Sequence, residues 1–337
     1  MANVGFLFLD RDDVAEFTPP AAKLIELIEG GLAAHCRGEV VLPPKSHIHL
    51  DDRYNGHFNI LPGYVGPIDA AGVKIIGDYV DNHRHGLPSE VALLLLCDPR
   101  TGVPNCLMDA TSLTWLRTGA VTGVGAKHLA RPNAAVVAHI GARGTALSNL
   151  KALAQLFDLA EFRIASKRRE TREQLAARAT AATGVAARPV DAIEDAVIGA
   201  DIVVEATRLS APEVLIEEAW LAPGALLVTY GWVMAVDPRL PKAADKLVVD
   251  DWQQCRQGGQ LHPLIVRGEL TAADVHAEIG QIVCGLRPGR ERPDERILFW
   301  HRGFAISDIV LGNWIYERAR LAGRGRWLKL WEGEAVE

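Results

Sequence analysis

The chain has 337 residues, 36 Lys and Arg against 42 Asp and Glu, and a formal net charge of −6. A mildly acidic surface works against broad nucleic-acid binding driven by counterion release. A composition of 49% hydrophobic and 23% charged residues is also far from that of disordered chains. At roughly 100–200 residues per domain, two domains are expected. The longest purely apolar stretch, Val91–Cys97, has about seven residues where a membrane helix needs about 20, so no membrane association is expected. The N-terminal run MANVGFLFLDRDD lacks a basic n-region and a long apolar core, which predicts a cytoplasmic protein. Cys36, Cys97, Cys106, Cys255 and Cys284 are scattered and without a CxxC pair, so neither a disulfide framework nor a zinc knuckle is indicated.

Along the chain, Met1 to about Arg131 reads mainly as strands with one or two helices, one of them from Pro20 to about Arg37, where Leu24, Ile25, Leu27 and Ile28 recur near helical spacing. From Asn133 to about Asp251 short apolar runs alternate with candidate helices. The runs are AAVVAHI, FRIAS, ADIVVEAT, ALLVTY and KLVVDD, and the helices are Thr145–Leu159, Arg169–Thr183 and Ala192–Gly199. Such alternation predicts βαβ units and a doubly wound parallel sheet. After Asp251 the chain reads as helical, with candidates at Ala273–Cys284 and Ser307–Ala322. The last helix lies outside the alternation and is expected to rejoin the first domain. The predicted class is therefore α/β: a Rossmann-type doubly wound domain, 126–304, and a discontinuous α+β domain, 1–125 with 305–337.

The strongest local motif is Gly141-Ala142-Arg143-Gly144-Thr145-Ala146, at the end of an apolar strand and the opening of a helix. A helix opening offers unpaired N–H groups and the positive end of its dipole to a pyrophosphate, and glycine lets the anion approach. The usual fingerprint is G-x-G-x-x-G/A, so Arg143 occupies the second glycine position; its guanidinium could itself pair with phosphate oxygens. At the end of the next strand stand Ser166, Lys167, Arg168 and Arg169, with no acid. An NAD-selective site carries a carboxylate there, whereas a serine among cations suits a 2′-phosphate. NADP(H) is thus expected in preference to NAD(H), against the alternative that these cations are a solvated helix start.

The stretches AGVKIIGDYVDNHRHGLP, TGVPNCLMDATSLTWLRTGA and AKHLARPNAAVVAHIGARGTA together resemble the ornithine cyclodeaminase/mu-crystallin family. The likeness is collinear over nearly the whole chain. Its most specific pieces are Gly72-Val73-Lys74, the N-x-x-x-G-L-P of Asn82 to Pro88, and Arg117 to Ala120. ADKLVVDDWQQC, VHAEIGQIVCG and GFAISDIVLGNWIYERA are similar to the branch that holds the siderophore-pathway N-(2-amino-2-carboxyethyl)glutamate dehydrogenase. The resemblance implies a homodimer whose first domain binds a small amino-acid or imino-acid substrate and makes the subunit contact. It also implies hydride exchange between a nicotinamide and a Cα–N bond. By the same resemblance Lys74 is the active-site lysine and Arg117 holds the substrate α-carboxylate. Lys45 stands where many members have a second carboxylate-binding arginine, keeping the charge without the two-pronged geometry. His301 lies in a loop beside the nicotinamide, Thr207 and Gly231 complete the cofactor set, and Asp308 matches an acid at the start of the last helix, where a cap or dipole role is the alternative.

Two departures bear on the reaction. In cyclodeaminases the strand matching ALLVTY runs into a segment whose aspartate acts on the substrate amine. Here that position is Val233, beside the bulky Trp232, with Asp237 a few residues on. Without the carboxylate, ring closure lacks its base, so an oxidoreductase acting on an amino acid or its imine is expected ahead of an ornithine- or lysine-type cyclodeaminase. A non-catalytic NADPH-binding, crystallin-like role is the remaining alternative. His47, His49 and His57, and His83 with His85, stand at short spacing. No supporting second shell is visible, so contact with a polar substrate is expected rather than a metal.

Overall fold

A computed structural model describes residues 2–333. The chain divides into two compact units, Met1–Arg117 with Phe304–Glu337, and Thr118–Gly303.

The first unit begins with β1 (Ala2–Leu9) and α1 (Arg11–Glu16), whose N-terminus is closed by a reciprocal capping box between Asp10 and Asp13. Next come α2 (Ala21–Cys36), β2 (Val40–Val41), β3 (Ser46–His49), α3 (Asp51–Tyr54), β4 (Gly56–Val65), β5 (Ala70–Tyr79), β6 (Glu90–Cys97) and β7 (Pro104–Asp109). β3, β4, β5, β6 and β7 pair antiparallel in succession. A 19-residue helix, α4 (Thr111–Leu129), follows and carries Arg117. It is not apparent from the residues alone, because three glycines and four threonines depress its intrinsic propensity. Tertiary packing overrides that cost: a Cβ at Gly125 would stand 2.3 Å from the Phe299 ring, so the glycine is what admits the aromatic.

The second unit is a wholly parallel sheet. Its elements are β8 (Val136–Ile140), α5 (Ala146–Leu156), β9 (Glu161–Ala165), α6 (Arg169–Thr183), β10 (Ala186–Val190), α7 (Ile193–Val197), β11 (Ile202–Glu205), β12 (Leu226–Thr229), α8 (Leu240–Ala243), β13 (Lys246–Val249), α9 (Trp252–Cys255), α10 (His262–Val266), β14 (Ala277–Glu278), α11 (Ile279–Val283) and β15 (Ile297–Trp300). The strand order is β10-β9-β8-β11-β12-β15-β13-β14, a doubly wound arrangement whose order reverses between β8 and β11. Crevices at such a reversal, outside the carboxyl ends of the strands, are where ligands bind in open α/β sheets. β8, β11 and β12 are buried almost throughout, as expected for central parallel strands covered on both faces.

Two expectations for this stretch need correction. Ala273–Cys284 is not one helix but a 3-10 turn at Ala272–Asp274, the short β14 and α11. Ala277 and Glu278 are drawn into the sheet beside β13, and a capping box between Glu278 and Gln281 starts the helix only after them. The chain after Asp251 also returns to the sheet as β15, inserted between β12 and β13. ILFW is a four-residue, fully buried run, and such a run shows no alternation to betray it.

The chain then completes the first unit with α12 (Ala305–Leu321) and β16 (Arg326–Gly333). α12 packs on α2, β4, β5 and β6. Gly312 lets it approach β6, since a Cβ there would lie 2.2 Å from a Leu94 methyl. β16 pairs antiparallel with β1, giving the order β16-β1-β7-β6-β5-β4-β2 with β3 also on β4. Among the described residues no helix is long and apolar enough to cross a membrane.

Candidate functional site

In the first unit three charged groups converge under α12. Lys74, on β5, is 1% exposed, Arg117 6% and Asp308 0%. Lys74 Nζ donates to Asp308 Oδ1 at 2.6 Å and to Thr114 Oγ1 at 3.1 Å. Arg117 Nε donates to the same Asp308 oxygen at 3.1 Å. Thr114 and Arg117 lie one turn apart on α4, so both face β5. Thr114 in turn donates to Ala110 O at 2.8 Å, which turns its lone pairs toward the lysine.

Burial lowers the Lys74 ammonium to a pKa of about 8; the Arg117 charge pushes the same way, while Asp308 opposes both. A carboxylate shared by two cations is the condition under which two buried positive charges are tolerated. The resemblance already pointed to Lys74, Arg117 and Asp308. Nothing in the residues alone shows that Thr114 joins them, nor that all three side chains meet.

Lys45 is half-buried and immediately precedes β3. Ser46 pairs with Ile60, and the next residue of β4, Leu61, pairs with Lys74. Lys45 thus falls at the end of the row that holds Lys74.

In the second unit the expected cofactor residues gather at the sheet reversal. Gly141, directly after β8, has φ +98°, and a Cβ there would stand 2.6 Å from Ala206 O, just beyond β11. Only glycine fits both constraints. Ala142 is half-buried, Arg143 and Gly144 are exposed, and Gly144 has φ +54°. Thr145 stands at the opening of α5, its hydroxyl 2.5 Å from the Tyr230 hydroxyl.

Tyr230 also accepts from Asn149 Nδ2 at 2.7 Å. That amide reaches His139 Nε2 at 3.0 Å, while His139 Nδ1 lies 2.8 Å from Gly141 O. A carbonyl can only accept, so Nδ1 carries the proton and Nε2 receives one from Asn149. Burial lowers His139 to about 4, which keeps it neutral in that tautomer. A chain of side chains therefore fixes the glycine loop from beneath. His139, Asn149 and Tyr230 were not singled out from the sequence; their only signal is three polar residues inside an apolar strand, a buried helix face and a strand end.

Thr207 donates its backbone N–H to Glu205 Oε1 at 2.8 Å, and its hydroxyl donates to the same oxygen. Thr229 and Gln260 donate to Oε2 at 2.8 and 3.2 Å. Gly231 (φ +125°) sits beside Gln260. A fully buried carboxylate thus ties together the turns after β11 and β12. Burial raises its pKa, against the pull of these donors.

His301 is wholly buried, its Nε2 3.2 Å from Thr122 Oγ1 and its ring 4.7 Å from that of Tyr230. At the end of β9, Ser166 engages Arg168 O and Thr171 at 3.1 and 3.0 Å. Lys167 and Arg168 are exposed, and Arg169 is turned to Glu173 at 2.7 Å. Asp237 grips Arg239 through both oxygens and caps its own turn by accepting from Arg239 N at 2.9 Å. It is therefore committed to structure. Trp232 is about half exposed, with the Arg302 guanidinium 4.5 Å above its ring.

Among the described residues no group of three His, Cys, Asp or Glu is placed to hold a metal. The His83 side chain lies outside the described residues.

A doubly wound parallel unit with a glycine turn at its reversal, carried with a second unit that buries a lysine, an arginine and an aspartate together, defines a two-part protein of the dinucleotide-fold class. The chain belongs to the ornithine cyclodeaminase/mu-crystallin family, whose pattern matches residues 7–323. It is 29% identical over 349 residues to the N-((2S)-2-amino-2-carboxyethyl)-L-glutamate dehydrogenase of Staphylococcus aureus, covering 98% of this chain and 100% of that one. Among solved structures it is similar to Thermococcus litoralis Delta(1)-pyrroline-2-carboxylate reductase in complex with NADH and L-proline (TM-score 0.90, 28% identity, 95% and 99% of the two chains). It is equally similar to an archaeal alanine dehydrogenase dimer with bound NAD (TM-score 0.90, 29% identity, 97% and 100%).

The buried lysine makes a stability prediction. Its folded pKa lies below the ordinary value of 10.5, so between about 8 and 10.5 the unfolded chain binds the extra proton and stability rises with pH. Relative to Lys74→Met, the wild type should gain stability as pH climbs from 8 toward 10.5. Paired denaturant titrations would show this, and parallel curves across that window would contradict the assignment.

Proposed function

We propose that the protein is an NAD(P)-dependent oxidoreductase that interconverts an amino acid and its imine at the Cα–N bond. The observation that carries this reading is the buried Lys74–Asp308–Arg117 cluster. Arg117 spends its Nε on Asp308, and its two terminal nitrogens are the pair that can clamp an α-carboxylate with parallel hydrogen bonds. Such a clamp fixes Cα for hydride transfer.

Lys74, brought close to neutral pH, can give a proton to an imine-derived nitrogen or take one from an amine without a large driving-force penalty. In the oxidative direction Cα loses hydride and the nitrogen loses a proton; reduction reverses both. A bound nicotinamide supplies or receives the hydride. Asp308 holds both cations in place and is a positioning residue.

The second unit fits a dinucleotide at the reversal between β8 and β11. There Gly141 keeps the turn low, and Thr145, Thr207 and Gly231 border the crevice. Ala142, Arg143 and Gly144 lie on the same turn, with the exposed Arg143 side chain able to meet phosphate oxygens. His301, whose ring lies tilted 4.7 Å from that of Tyr230, is read as a substrate contact.

Ser166, Lys167 and Arg168, in a turn without a carboxylate, favour NADP(H) over NAD(H); Arg169 is held by Glu173 and belongs to the helix start. The relatives solved with NADH and NAD make NAD(H) the competing cofactor. Cyclodeaminase chemistry is disfavoured because Val233 replaces the carboxylate and Asp237 is clamped by Arg239.

The first unit, 1–125 with 305–337 in the proposed division, is read as the substrate-binding and dimerisation domain, and 126–304 as the cofactor domain. The face of the first sheet opposite Lys74 supports dimerisation. Ile60, Ile75 and Leu93 form one cross-strand row and Ile48, Phe58 and Val91 another, and Ile48, Ile75, Val91 and Leu93 are each at least 46% exposed. A contiguous apolar face of this kind marks an interaction surface, here with a second copy.

Four measurements test the reading. Incubation with NADPH and a panel of 2-oxo acids with ammonia or amines, and of cyclic imines, should oxidise the cofactor; ammonia release from ornithine with no change in cofactor absorbance would favour the cyclodeaminase instead. Arg117→Ala should raise KM for the carboxylate substrate by at least about tenfold, corresponding to loss of a charge-assisted contact of about 1.5–3 kcal/mol; an unchanged KM places the carboxylate elsewhere. Lys167→Ala with Arg168→Ala should erode the NADPH over NADH preference, read as the ratio of kcat/KM. Leu93→Asp should shift the chain to a monomer by sedimentation, and a retained dimer would move the interface to another face.

A further inference from the structure

Asp308 has two carboxylate oxygens, and the ion cluster uses one of them. Lys74 Nζ and Arg117 Nε both donate to Oδ1, at 2.6 and 3.1 Å. Oδ2 is buried and accepts from no protein group among the described residues. A buried carboxylate oxygen without a donor is costly, so it calls for a ligand or for a structural reason to be there. The helix supplies no such reason. Asp308 lies in the first turn of α12, where a carboxylate can accept backbone N–H groups, yet no side chain caps that helix start. Glu90 also acts on Lys74, more weakly than Asp308 and through its charge alone. Asp308 Oδ2 is therefore the acceptor that lies against both cations.

The neighbours of this oxygen say which group it awaits. Arg117 Nε holds the same carboxylate, so the guanidinium and Oδ2 stand side by side. Carboxylate and nitrogen stand side by side in the same way on Cα of an amino or imino acid. We propose that Asp308 Oδ2 accepts an N–H of the substrate nitrogen, so that the site turns over only substrates whose iminium form keeps at least one N–H. This rests on the oxidoreductase reading above and deepens it: beyond positioning Lys74 and Arg117, Asp308 touches the reacting group.

The protons then divide between two residues. In oxidation a substrate ammonium gives one proton to neutral Lys74 and turns another N–H to Oδ2. Hydride leaves Cα for the nicotinamide, and the nitrogen becomes an iminium whose remaining N–H is still held by Oδ2. The carboxylate thus faces positive charge as that charge develops, where a fixed anion stabilises most. Reduction reverses each step, with the Lys74 ammonium returning its proton to the amine. A 2-oxo acid presents lone pairs where Oδ2 needs a hydrogen. Lys74 donates to a carbonyl oxygen as well as to a nitrogen, so the lysine does not discriminate between ketone and imine. The carboxylate does.

The test uses two isomers, N-ethyl-L-alanine, whose iminium keeps one N–H, and N,N-dimethyl-L-alanine, whose iminium keeps none. L-lactate stands in for the oxygen analogue. With NADP or NAD the wild type should favour the N-ethyl compound over either of the others by at least about a hundredfold in kcat/KM, the scale on which a site built for an N–H rejects a ligand without one. Against the dimethyl isomer the difference should lie in kcat, because a tertiary ammonium still carries one N–H for binding, and calorimetry should find the two isomers bound alike. In Asp308→Asn the cations keep the amide oxygen and repel the NH2, which puts a donor in place of Oδ2. The N-ethyl-L-alanine to L-lactate ratio should then fall at least about tenfold, whereas a purely structural role lowers both rates together. If Asp308→Asn does not fold, the wild-type comparison decides alone. Equal kcat for the two isomers, or a ratio unmoved in Asp308→Asn, overturns the contact and leaves the oxidoreductase reading standing. Absence of turnover with these compounds and with every imine of the panel above overturns the oxidoreductase reading, and the contact with it.

Discussion

Asp308 is the group on which the first unit's chemistry depends. Two cations cannot share a dry interior unless a counter-charge sits between them, because the cost of removing each from water is several kcal/mol. One oxygen of Asp308 accepts from both Lys74 and Arg117, and by doing so links β5, α4 and α12. The same contact sets the electrostatics. Desolvation drives the lysine toward neutrality, while the carboxylate stops the shift near 8. An apolar residue at 308 would leave two uncompensated charges. A fully solvated pair would leave the lysine near its ordinary value and ill-suited to moving a proton at neutral pH.

The second unit solves a different problem. The turn at Gly141, the pyrophosphate cradle of the proposed reading, must be rigid, yet it is glycine-rich with little side chain to pack. Rigidity comes from below, where His139 holds the Gly141 carbonyl, Asn149 holds His139, and Tyr230 joins Asn149 to Thr145. Glu205 performs the same service for the neighbouring turns, accepting from Thr207, Thr229 and Gln260. In both cases a buried polar network at the carboxyl ends of the strands fixes backbone that apolar packing could not reach.

Much of this was legible in the residues themselves. The alternation from β8 to β13 announces a doubly wound sheet, the residues of α6 set its limits, and the glycines mark the turn between β8 and α5. What could not be read were elements decided by distant partners. α4 is a poor helix by propensity and exists because Gly125 accepts Phe299. β14 and β15 are too short and too buried to show a period, and only their sheet neighbours define them. On the site, the resemblance, and no local pattern, pointed to Lys74 and Arg117. The registers that align Lys45 and Lys74 on one face, and the tyrosine that closes the Thr145 contact, are facts of pairing that no local window contains.

The separation of the ion cluster along the chain has a consequence for synthesis. Lys74 and Asp308 are 234 residues apart, and every residue of the second unit lies between Arg117 and Phe304. As the polypeptide emerges from the ribosome, the cofactor unit is complete before the helix carrying Asp308 appears. Until then β5 cannot bury its lysine at low cost, and the first sheet lacks both its covering helix and its β16 edge. The buried lysine's environment is therefore assembled last, through a contact of very high sequence separation, which places its formation among the slow, late steps of folding.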